Sequence, residues 1–282
     1  MLRSLSQWHR DHTFTDPTVR PAVKRLCAAL ALAKPQKKPL PFIHPPTITD
    51  LLQLNQYEDN RIQNARLHIR KCLTVGKPKE MRQARQRYLV AIRDKAILLL
   101  SYWYSLEPGQ ISRLTFEDLV MNDVTLGIHI RKKEDRTTTK AKTTTTLTLP
   151  RFPRLCPIKA LERWLKESGI YQGALFQTID GEVLTGAMRS AGIAYHLNEG
   201  TKRVMALPKG KTIDWSEGLL ALLLNSGWQP EEVASVFRHH RPSGIRIFAR
   251  RLQACEVRRP SPVIARIPKI LAIYAALKKP ET

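Results

Sequence analysis

The chain has 282 residues, of which 43% are hydrophobic, and it carries 47 lysines and arginines against 24 aspartates and glutamates, a formal net charge of +23. The hydrophobic share excludes a disordered chain, and no apolar run reaches the roughly 18 to 20 residues that span a bilayer. A cation excess of this size favours an anionic partner, most often DNA or RNA. We therefore expect a globular nucleic-acid-binding protein that does not bind membranes, with a basic protein whose charge only confers solubility as the alternative.

The cysteines and the amino-terminal segment indicate the compartment. Cys27, Cys72, Cys156 and Cys255 are scattered, with no CxxC motif and no Cys/His pairing, which argues against a disulfide framework and against a zinc site. Residues 1–33 carry spread cations and no uninterrupted apolar segment followed by a cleavage site, so the sequence predicts no secretion signal. We expect reduced thiols, no cofactor and a cytoplasmic, nucleoid-associated protein of a prokaryote.

Composition divides the chain into four segments. Residues 1–33 read as a helix, a turn and a second helix, which is too little for a domain. Residues 34–46 are rich in proline and lysine and are typical of a stiff, extended linker. Residues 47–255 form the main predicted domain, and residues 256–282 are predicted as a carboxy-terminal helix.

The first elements after the linker are helical. Thr47 or Thr49 is positioned to cap a short helix that ends at Leu54. Residues 61–72 are basic, and the pattern leaves open whether they form a loop or a helix. Residues 79–104 predict a helix whose first half is basic on one side and whose second half is apolar on all sides, so it should end in the core.

A β-hairpin is predicted next. Alternate residues are apolar at Val124, Leu126, Ile128 and Ile130, which predicts a strand. Residues 143–149 alternate threonine with leucine and predict the returning strand, so residues 132–142 form a long basic tip.

The rest of the chain reads as helical. Cys156 precedes a predicted helix that ends at Gly169, and Trp103, Trp164 and Trp215 are predicted to lie in the core rather than to stack on bases. Further helices are predicted at 219–224, 230–237, 244–252 and 264–277. The fold class is mostly α with a small antiparallel β-sheet.

These elements and their motifs resemble a known family. The run Arg93-Asp94-Lys95-Ala96-Ile97-Leu98-Leu99-Leu100, the segment Leu114-Thr115-Phe116-Glu117-Asp118-Leu119, the hairpin ending in Leu149-Pro150-Arg151 and the helix start Cys156-Pro157-Ile158 resemble, in this order, the catalytic domain of the tyrosine recombinase (phage integrase) family. Residues 8–37 resemble the last part of that family's helical core-binding domain and the linker to the catalytic domain. Because subunits of the family exchange a carboxy-terminal segment, the resemblance implies that residues 256–282 are a carboxy-terminal helix or an exchange segment. The resemblance, which spans roughly residues 8–252, implies a tyrosine-recombinase-like catalytic domain preceded by a truncated helical core-binding segment.

The family's chemistry sets what the site should contain. A tyrosine phenol attacks a DNA phosphodiester, two arginines and a histidine or tryptophan stabilise the transition-state charge, and a lysine on the hairpin protonates the leaving oxygen. The resemblance implies that Lys132 or Lys133 stands at the lysine position. It also implies that His239 stands at the histidine or tryptophan position.

Four other positions depart from the family pattern. Glu107 stands where the first arginine is expected, and Ile213 and Ser216 replace the histidine and the second arginine of the His-x-x-Arg box. Phe248 stands where the nucleophilic tyrosine is expected, and a phenyl ring has no oxygen that attacks phosphorus. Because these residues act as one unit, we expect no strand cleavage, and the resemblance then implies a pseudoenzyme.

Strand cleavage would need a substitute arginine and a substitute nucleophile. Arg113 lies six residues after Glu107, about 600° around a helix, so we expect it to point to a different face. A relocated tyrosine remains an alternative nucleophile, with Tyr274, Tyr195 and Tyr171 as the candidates. Tyr274 lies among apolar residues and is predicted to be a packing residue.

Two basic clusters are predicted to contact DNA phosphates. One is on the hairpin tip and the other surrounds the turn of residues 238–243: Lys132, Lys133, Lys140, Lys142, Arg238, His240, Arg241 and Arg246. Adjacent histidines on a helix point to different sides, so His239 and His240 predict no metal site.

The sequence thus predicts a DNA-binding, catalytically inactive protein that acts as an accessory or regulatory factor in the DNA integration or recombination of a mobile genetic element. Its expected partners are DNA and either an active tyrosine recombinase or further copies of itself. Two alternatives stay open. One is an active site-specific recombinase with a relocated tyrosine, and the other is a non-DNA interaction protein or a mobile-element remnant.

Overall fold

The computed structural model describes residues 45–131, 144–205, 207 and 212–254, together with three isolated positions near the amino terminus. The chain divides into two compact units, Met1–Phe42 and Ile43–Thr282, and the fold below is that of the second unit. The predicted exchange helix at 264–277 lies outside the described residues, and the four predicted segment boundaries remain predictions.

The described part of the second unit is mostly helical. Its helices are α1 Ile48–Val75, α2 Pro78–Trp103, α3 Pro108–Ile111, α4 Pro157–Ser168, α5 Ser190–Val204, α6 Glu217–Asn225, α7 Pro230–Val236 and α8 Pro242–Ala254. None of these described helices combines the length and the apolar character needed to cross a membrane. The predicted class, mostly α with a small antiparallel sheet, is confirmed.

Two small antiparallel sheets accompany the helices. The first has the order β1-β2-β3, with β1 at Leu119–Met121, β2 at Thr125–Arg131 and β3 at Thr144–Pro150. The second pairs β4 (Gln177–Asp180) with β5 (Val183–Ala187). The predicted hairpin is therefore present as β2 and β3, and its predicted basic tip, residues 132–142, lies outside the described residues.

Helix α1 is much longer than the sequence predicts. Thr47 caps it, because the Asp50 N–H donates to the Thr47 hydroxyl oxygen at 3.2 Å and the Thr47 N–H donates to the Asp50 carboxylate at 2.7 Å. The predicted end at Leu54 is wrong, since the helix continues to Val75 and Gly76 ends it with a left-handed φ of 68°. The open choice for residues 61–72 is thereby decided in favour of helix.

The carboxyl half of α2 forms the centre of the core. Residues from Ala96 to Tyr104 are buried on every side of the helix, as the sequence predicts. At its end the Trp103 indole N–H donates to the Leu155 carbonyl at 2.8 Å, and the Tyr104 hydroxyl donates to the Leu126 carbonyl at 2.7 Å. These two bonds hold the end of α2 against the β-hairpin and the segment before α4.

The three tryptophans that were predicted to be buried lie in the core. Trp103 and Trp164 are fully buried, and Trp215 is 1% exposed. The Trp164 indole N–H donates to the Leu175 carbonyl, and the Trp215 indole N–H donates to the Thr201 hydroxyl at 2.9 Å. Each buried ring therefore has its polar atom satisfied, which fixes where the neighbouring segments lie.

The hairpin has one buried face. Leu126 pairs with Leu149 and Ile128 with Leu147, and all four side chains are buried. Val124 was predicted to share this face, but it is 64% exposed because it lies in the turn before β2 rather than in the strand. The period of two therefore holds only within the strand itself.

Candidate functional site

An open pocket of about 660 Å³ lies where three segments meet: the turn after α2 with α3, the start of α6, and the turn that leads into α8. We call it the junction pocket. Its polar and charged wall residues are Glu107, Gln110, Arg113, Asp214, Ser216, Glu217, His239, His240 and Arg241. Leu220, Ile245 and Phe248 form its apolar wall.

Ser105 joins the three segments behind the pocket. It is fully buried, and its φ of 51° is left-handed, which is uncommon for a residue other than glycine. Its hydroxyl donates to the Ser216 carbonyl at 2.5 Å, and its own carbonyl lies 2.7 Å from His240 Nε2. The turn after α2, the start of α6 and the turn before α8 are thus tied to one residue.

The two histidines converge on this residue. His239 Nε2 lies 3.3 Å from the Ser105 carbonyl oxygen, and the two imidazole rings are 4.5 Å apart between centroids. The expectation that they point to different sides is wrong, because residues 238–240 form a turn and not a helix. A carbonyl only accepts, so His240 donates from Nε2.

Burial also sets the charge of His240. It lowers the pKa of the imidazole, although the hydrogen bond to the Ser105 carbonyl and the nearby Glu107 and Asp214 carboxylates act in the opposite direction. The neutral ring is therefore favoured at pH 7. His240 acts here as a hydrogen-bond donor that shapes the pocket rather than as a fixed positive charge.

Asp214 and Ser216 form the start of α6. The Asp214 carboxylate accepts from the Ser216 N–H at 3.0 Å and from the Ser216 hydroxyl at 2.6 Å. Ser216 is 2% exposed, so its short side chain is committed to this turn.

Acidic side chains meet in the pocket. Glu217 has its pKa raised to about 7, first by burial and then by the nearby Asp214 and Glu107 carboxylates, with Arg251 opposing the shift. Arg113 belongs to the cationic part of the same wall. The pocket thus combines three carboxylates with arginines, and it is far less positive than the chain as a whole.

Helix α8 places Phe248 at the border between core and pocket. Ile245, Phe248, Ala249 and Leu252 are buried and follow the 3.6-residue period. Phe248 is 5% exposed and also lines the pocket. The core-facing side of α8 therefore presents a phenyl ring to the cavity.

The structure brings most of the predicted catalytic positions together. Glu107, Ser216, His239 and Phe248 all line the junction pocket, although they lie up to 141 positions apart in the sequence. Ile213 does not line it and is buried at 7% exposure. Lys133, the predicted general acid, lies outside the described residues.

The expectation for Arg113 is wrong. A helix extended from Glu107 would turn Arg113 away, but α3 ends at Ile111 and the chain leaves the helical path. Arg113 then lines the junction pocket, and a side chain at Gly109 would begin 3.8 Å from its guanidinium group.

The predicted DNA-contacting residues divide into two groups. His240 and Arg241 line the pocket. Arg238 is exposed and donates to the Ser235 carbonyl at 3.0 Å, and Arg246 pairs with Glu231 at 3.2 Å. The hairpin-tip residues Lys132, Lys133, Lys140 and Lys142 lie outside the described residues.

No tyrosine in the described ranges lines the pocket. Tyr171 and Tyr195 are 74% and 61% exposed at other surfaces. Tyr274 lies outside the described residues. The described residues also hold no group of three close metal-ligand atoms within this pocket.

Sequence reasoning missed three residues that shape the pocket: Ser105, Asp214 and Glu217. Asp214 and Ser216 carry a readable signal, because an aspartate two residues before a serine at the start of an apolar run is a helix-capping pattern. Ser105 has no such signal, since its role depends on contacts with residues more than 100 positions away.

Comparison with known proteins identifies the fold. Two similar solved structures are of the XerH site-specific recombinase, one bound to palindromic difH substrate in a post-cleavage complex and one bound to difH substrate in a pre-cleavage complex. The first has a TM-score of 0.51 at 14% identity over 82% of this chain, and the second a TM-score of 0.51 at 15% identity over 76%. The chain has a tyrosine-recombinase-like fold.

The similarity to XerH lies in the fold rather than in the amino-acid sequence. The match covers 53% and 52% of the two XerH chains, so this chain spans about half the length of these recombinases. No protein-family sequence profile matches the chain, and no curated protein matches it. The fold class and the predicted resemblance of fold agree with this comparison.

Proposed function

We propose that this chain binds DNA through a tyrosine-recombinase-like fold without cleaving it, and that it is an accessory or regulatory factor in the recombination or integration of a mobile element at the prokaryotic nucleoid. One observation carries the proposal. Glu107, Ser216 and Phe248, which stand at the positions of two arginines and the nucleophile in the resembling family, line the same pocket.

Charge supports DNA as the partner. The net charge of +23 has to be balanced by anions, and the similar solved structures are of a recombinase bound to its DNA substrate. Arg113 and Arg241 give the pocket wall two guanidinium groups, which bind phosphate well. We therefore propose a DNA backbone that runs along this face.

The chemistry of the pocket argues against cleavage. The ring of Phe248 offers no nucleophile, and the hydroxyl of Ser216 already donates to Asp214 at 2.6 Å. Glu107 and Glu217 add negative charge where a phosphoryl transition state needs positive charge. The two arginines do not supply the missing oxygen nucleophile.

Binding without cleavage assigns the chain a partner-dependent role. An active tyrosine recombinase bound at the same DNA would supply the attacking phenol, and this chain would occupy a neighbouring site. Alternatively, copies of this chain would bind together and block the site.

The first experiment measures DNA binding against salt. A labelled duplex of about 40 base pairs is titrated by fluorescence anisotropy at 50, 100 and 200 mM salt. If six to ten phosphates are contacted, we expect affinity to fall by about 10³- to 10⁵-fold over this range. The variant Arg241→Gln should weaken binding more than Lys166→Gln, which removes the same charge at an exposed position of helix α4. Absence of salt-dependent binding would favour a non-DNA interaction protein.

The second experiment tests cleavage directly. The protein is incubated with nicked suicide duplexes, and covalent protein–DNA adducts are sought on denaturing gels. We expect none from the natural chain, and none from Phe248→Tyr alone, because the phenol would still lack the charge stabilisation that Glu107 and Ser216 fail to give. An adduct from the natural chain overturns the proposal, and its mapping to Tyr274 would establish a relocated nucleophile.

A further inference from the structure

A second cluster of reactive side chains lies far along the sequence from the junction pocket, at the turn between α1 and α2. His68 and Cys72 are one helical turn apart near the end of α1, and Glu80 is the third residue of α2. One ligand atom of each, an imidazole nitrogen, the thiol sulfur and a carboxylate oxygen, lies within 4.8 Å of the other two.

The turn itself creates this convergence. Gly76 adopts a left-handed φ of 68°, and its N–H donates to the Cys72 carbonyl. Pro78 then begins α2 at once. The last turns of α1 therefore lie beside the first turn of α2, which brings donors from two helices to one point.

We propose that His68, Cys72 and Glu80 bind one Zn²⁺ ion. Thiolate, imidazole and carboxylate are the three ligand types that zinc takes in proteins, whereas Mg²⁺ and Ca²⁺ select oxygen-only sites. A tetrahedral zinc site holds its ligand atoms about 3.3 to 3.8 Å apart. Side-chain rotations that move the ligand atoms by about 1 Å would therefore bring the three atoms to these distances around an ion. Three protein ligands leave the fourth position to water.

The burial of the three residues suits an ion that enters from solvent. Cys72 is a free thiol at 3% exposure, His68 is half-buried and Glu80 is exposed. The sulfur thus forms the inner side of the site and the carboxylate its outer side. An ion approaching from water meets Glu80 first.

One cation competes with the metal. Lys77 Nζ lies 2.8 Å from the Glu80 carboxylate, and its side chain is 54% exposed. An exposed ion pair of this kind contributes little free energy, so the lysine can release the carboxylate to the metal. Bound zinc would then hold the end of α1 to the start of α2 from both sides of the turn.

The test uses Co²⁺ as a spectroscopic substitute and Zn²⁺ itself on the full chain after removal of metals with EDTA. We expect one ion per chain, a thiolate-to-cobalt charge-transfer band and the strong visible bands of tetrahedral cobalt. Zn²⁺ at 100 times its Kd should raise Tm by about 5 to 10 °C.

Variants locate the site. Cys72→Ser should abolish the charge-transfer band, and because this buried residue is sensitive to change, His68→Gln and Glu80→Gln provide two further tests at less buried positions. Each should lower Zn²⁺ affinity about tenfold or more. Glu182→Gln, which removes an exposed carboxylate at the β4–β5 turn, is the control and should leave binding unchanged. Absence of stoichiometric binding, or a cobalt spectrum that survives in all three site variants, overturns the proposal.

Discussion

Two regions of the molecule contain the same kinds of charged side chain in opposite settings. In the first, Asp94 on α2 accepts from Arg93 at 2.9 Å, from Arg61 at 3.2 Å and lies 3.3 Å from His196 Nδ1. Arg93 is 2% and Asp94 6% exposed. This network joins α1, α2 and α5, and its centre, the Arg93–Asp94 pair, is buried, whereas Arg61 and His196 reach the surface in part. The second region is the junction pocket, where carboxylates and arginines face an open cavity.

The pKa directions of Asp94 and Glu217 express the difference, although burial also raises the pKa of Glu58, which pairs with Arg61 beside the network, to about 8. Burial alone would raise the pKa of Asp94, but the hydrogen bond to His196 and the charges of Arg93 and Arg61 outweigh it and hold the pKa below its ordinary value. For Glu217, burial is reinforced by neighbouring carboxylates, and the pKa rises to about 7. The charge of Asp94 is compensated by its neighbours and stabilises the fold. The charge of Glu217 is opposed by its neighbours, so its protonation state should respond to a ligand that enters the pocket.

The largest expected effect comes from breaking the buried centre of the network. Asp94→Ala leaves Arg93 buried without its carboxylate, and we expect a loss of about 3 to 5 kcal/mol in the free energy of unfolding. Urea denaturation followed by circular dichroism measures it.

Asp59→Ala is the matched control for this prediction. Asp59 pairs with Lys95 at 2.6 Å, but its side chain is 37% exposed, so its loss should cost about 1 kcal/mol or less. Equal losses in the two variants would contradict the assignment of Asp94 to a structural network.

The intermediate effect concerns the pocket. If DNA phosphate approaches the junction pocket, Glu107→Arg replaces a repelling charge with an attracting one at an exposed position. We expect DNA affinity to increase about two- to tenfold at 100 mM salt, measured by anisotropy, with little change in stability.

Glu182→Arg adds the same charge at the exposed β4–β5 turn and separates a local effect from a general one. If both variants tighten binding equally, DNA does not approach the pocket.

The sequence predicts elements with a strong pattern and misses those whose pattern is broken by polar residues. The apolar end of α2 and the alternating β2 strand were recognised because their buried faces are apolar throughout. In α1 the buried positions include Glu58, Ala65 and Cys72, so the helical period is hidden from a hydrophobicity count. The same omission concealed the pairing of His68 with Cys72, which only a continuous helix makes visible.

The segment 170–210 shows the same limit. Helix α5 buries Gly200 and Thr201 beside Ile193 and Leu197, a weak apolar face that gave no prediction. A tertiary contact supplies what local propensity lacks, since the Thr201 hydroxyl accepts from the Trp215 indole N–H. The elements of a fold are therefore most predictable where burial is apolar.

The membership of the candidate site was predictable in part, and its geometry was not. The resemblance brought Glu107, Ser216, His239 and Phe248 into one hypothesis, and the pocket contains all four. Arg113 was misplaced because a helical extrapolation was continued past the end of α3. The direction of a side chain just after a helix depends on the residue at which the helix ends, and hydrophobic periodicity does not locate that residue to within one or two positions.

The smallest expected effect is a pH dependence that originates in the pocket. Glu217 has a pKa of about 7 in the folded chain against 4.5 when unfolded, so between these values the folded state binds more protons and stability falls as pH rises. Because the side chain is partly exposed, solvent screening should limit the effect to roughly 1 kcal/mol. Glu217→Gln cannot titrate, so the difference between the two proteins in urea denaturation at pH 5, 6, 7 and 8 isolates this group.

We expect the natural chain to lose stability relative to the variant between pH 5 and 7 and to change little above pH 8. Parallel profiles would show that the Asp214 and Glu107 carboxylates do not oppose the Glu217 charge, and the pocket would then be as well compensated as the network around Asp94.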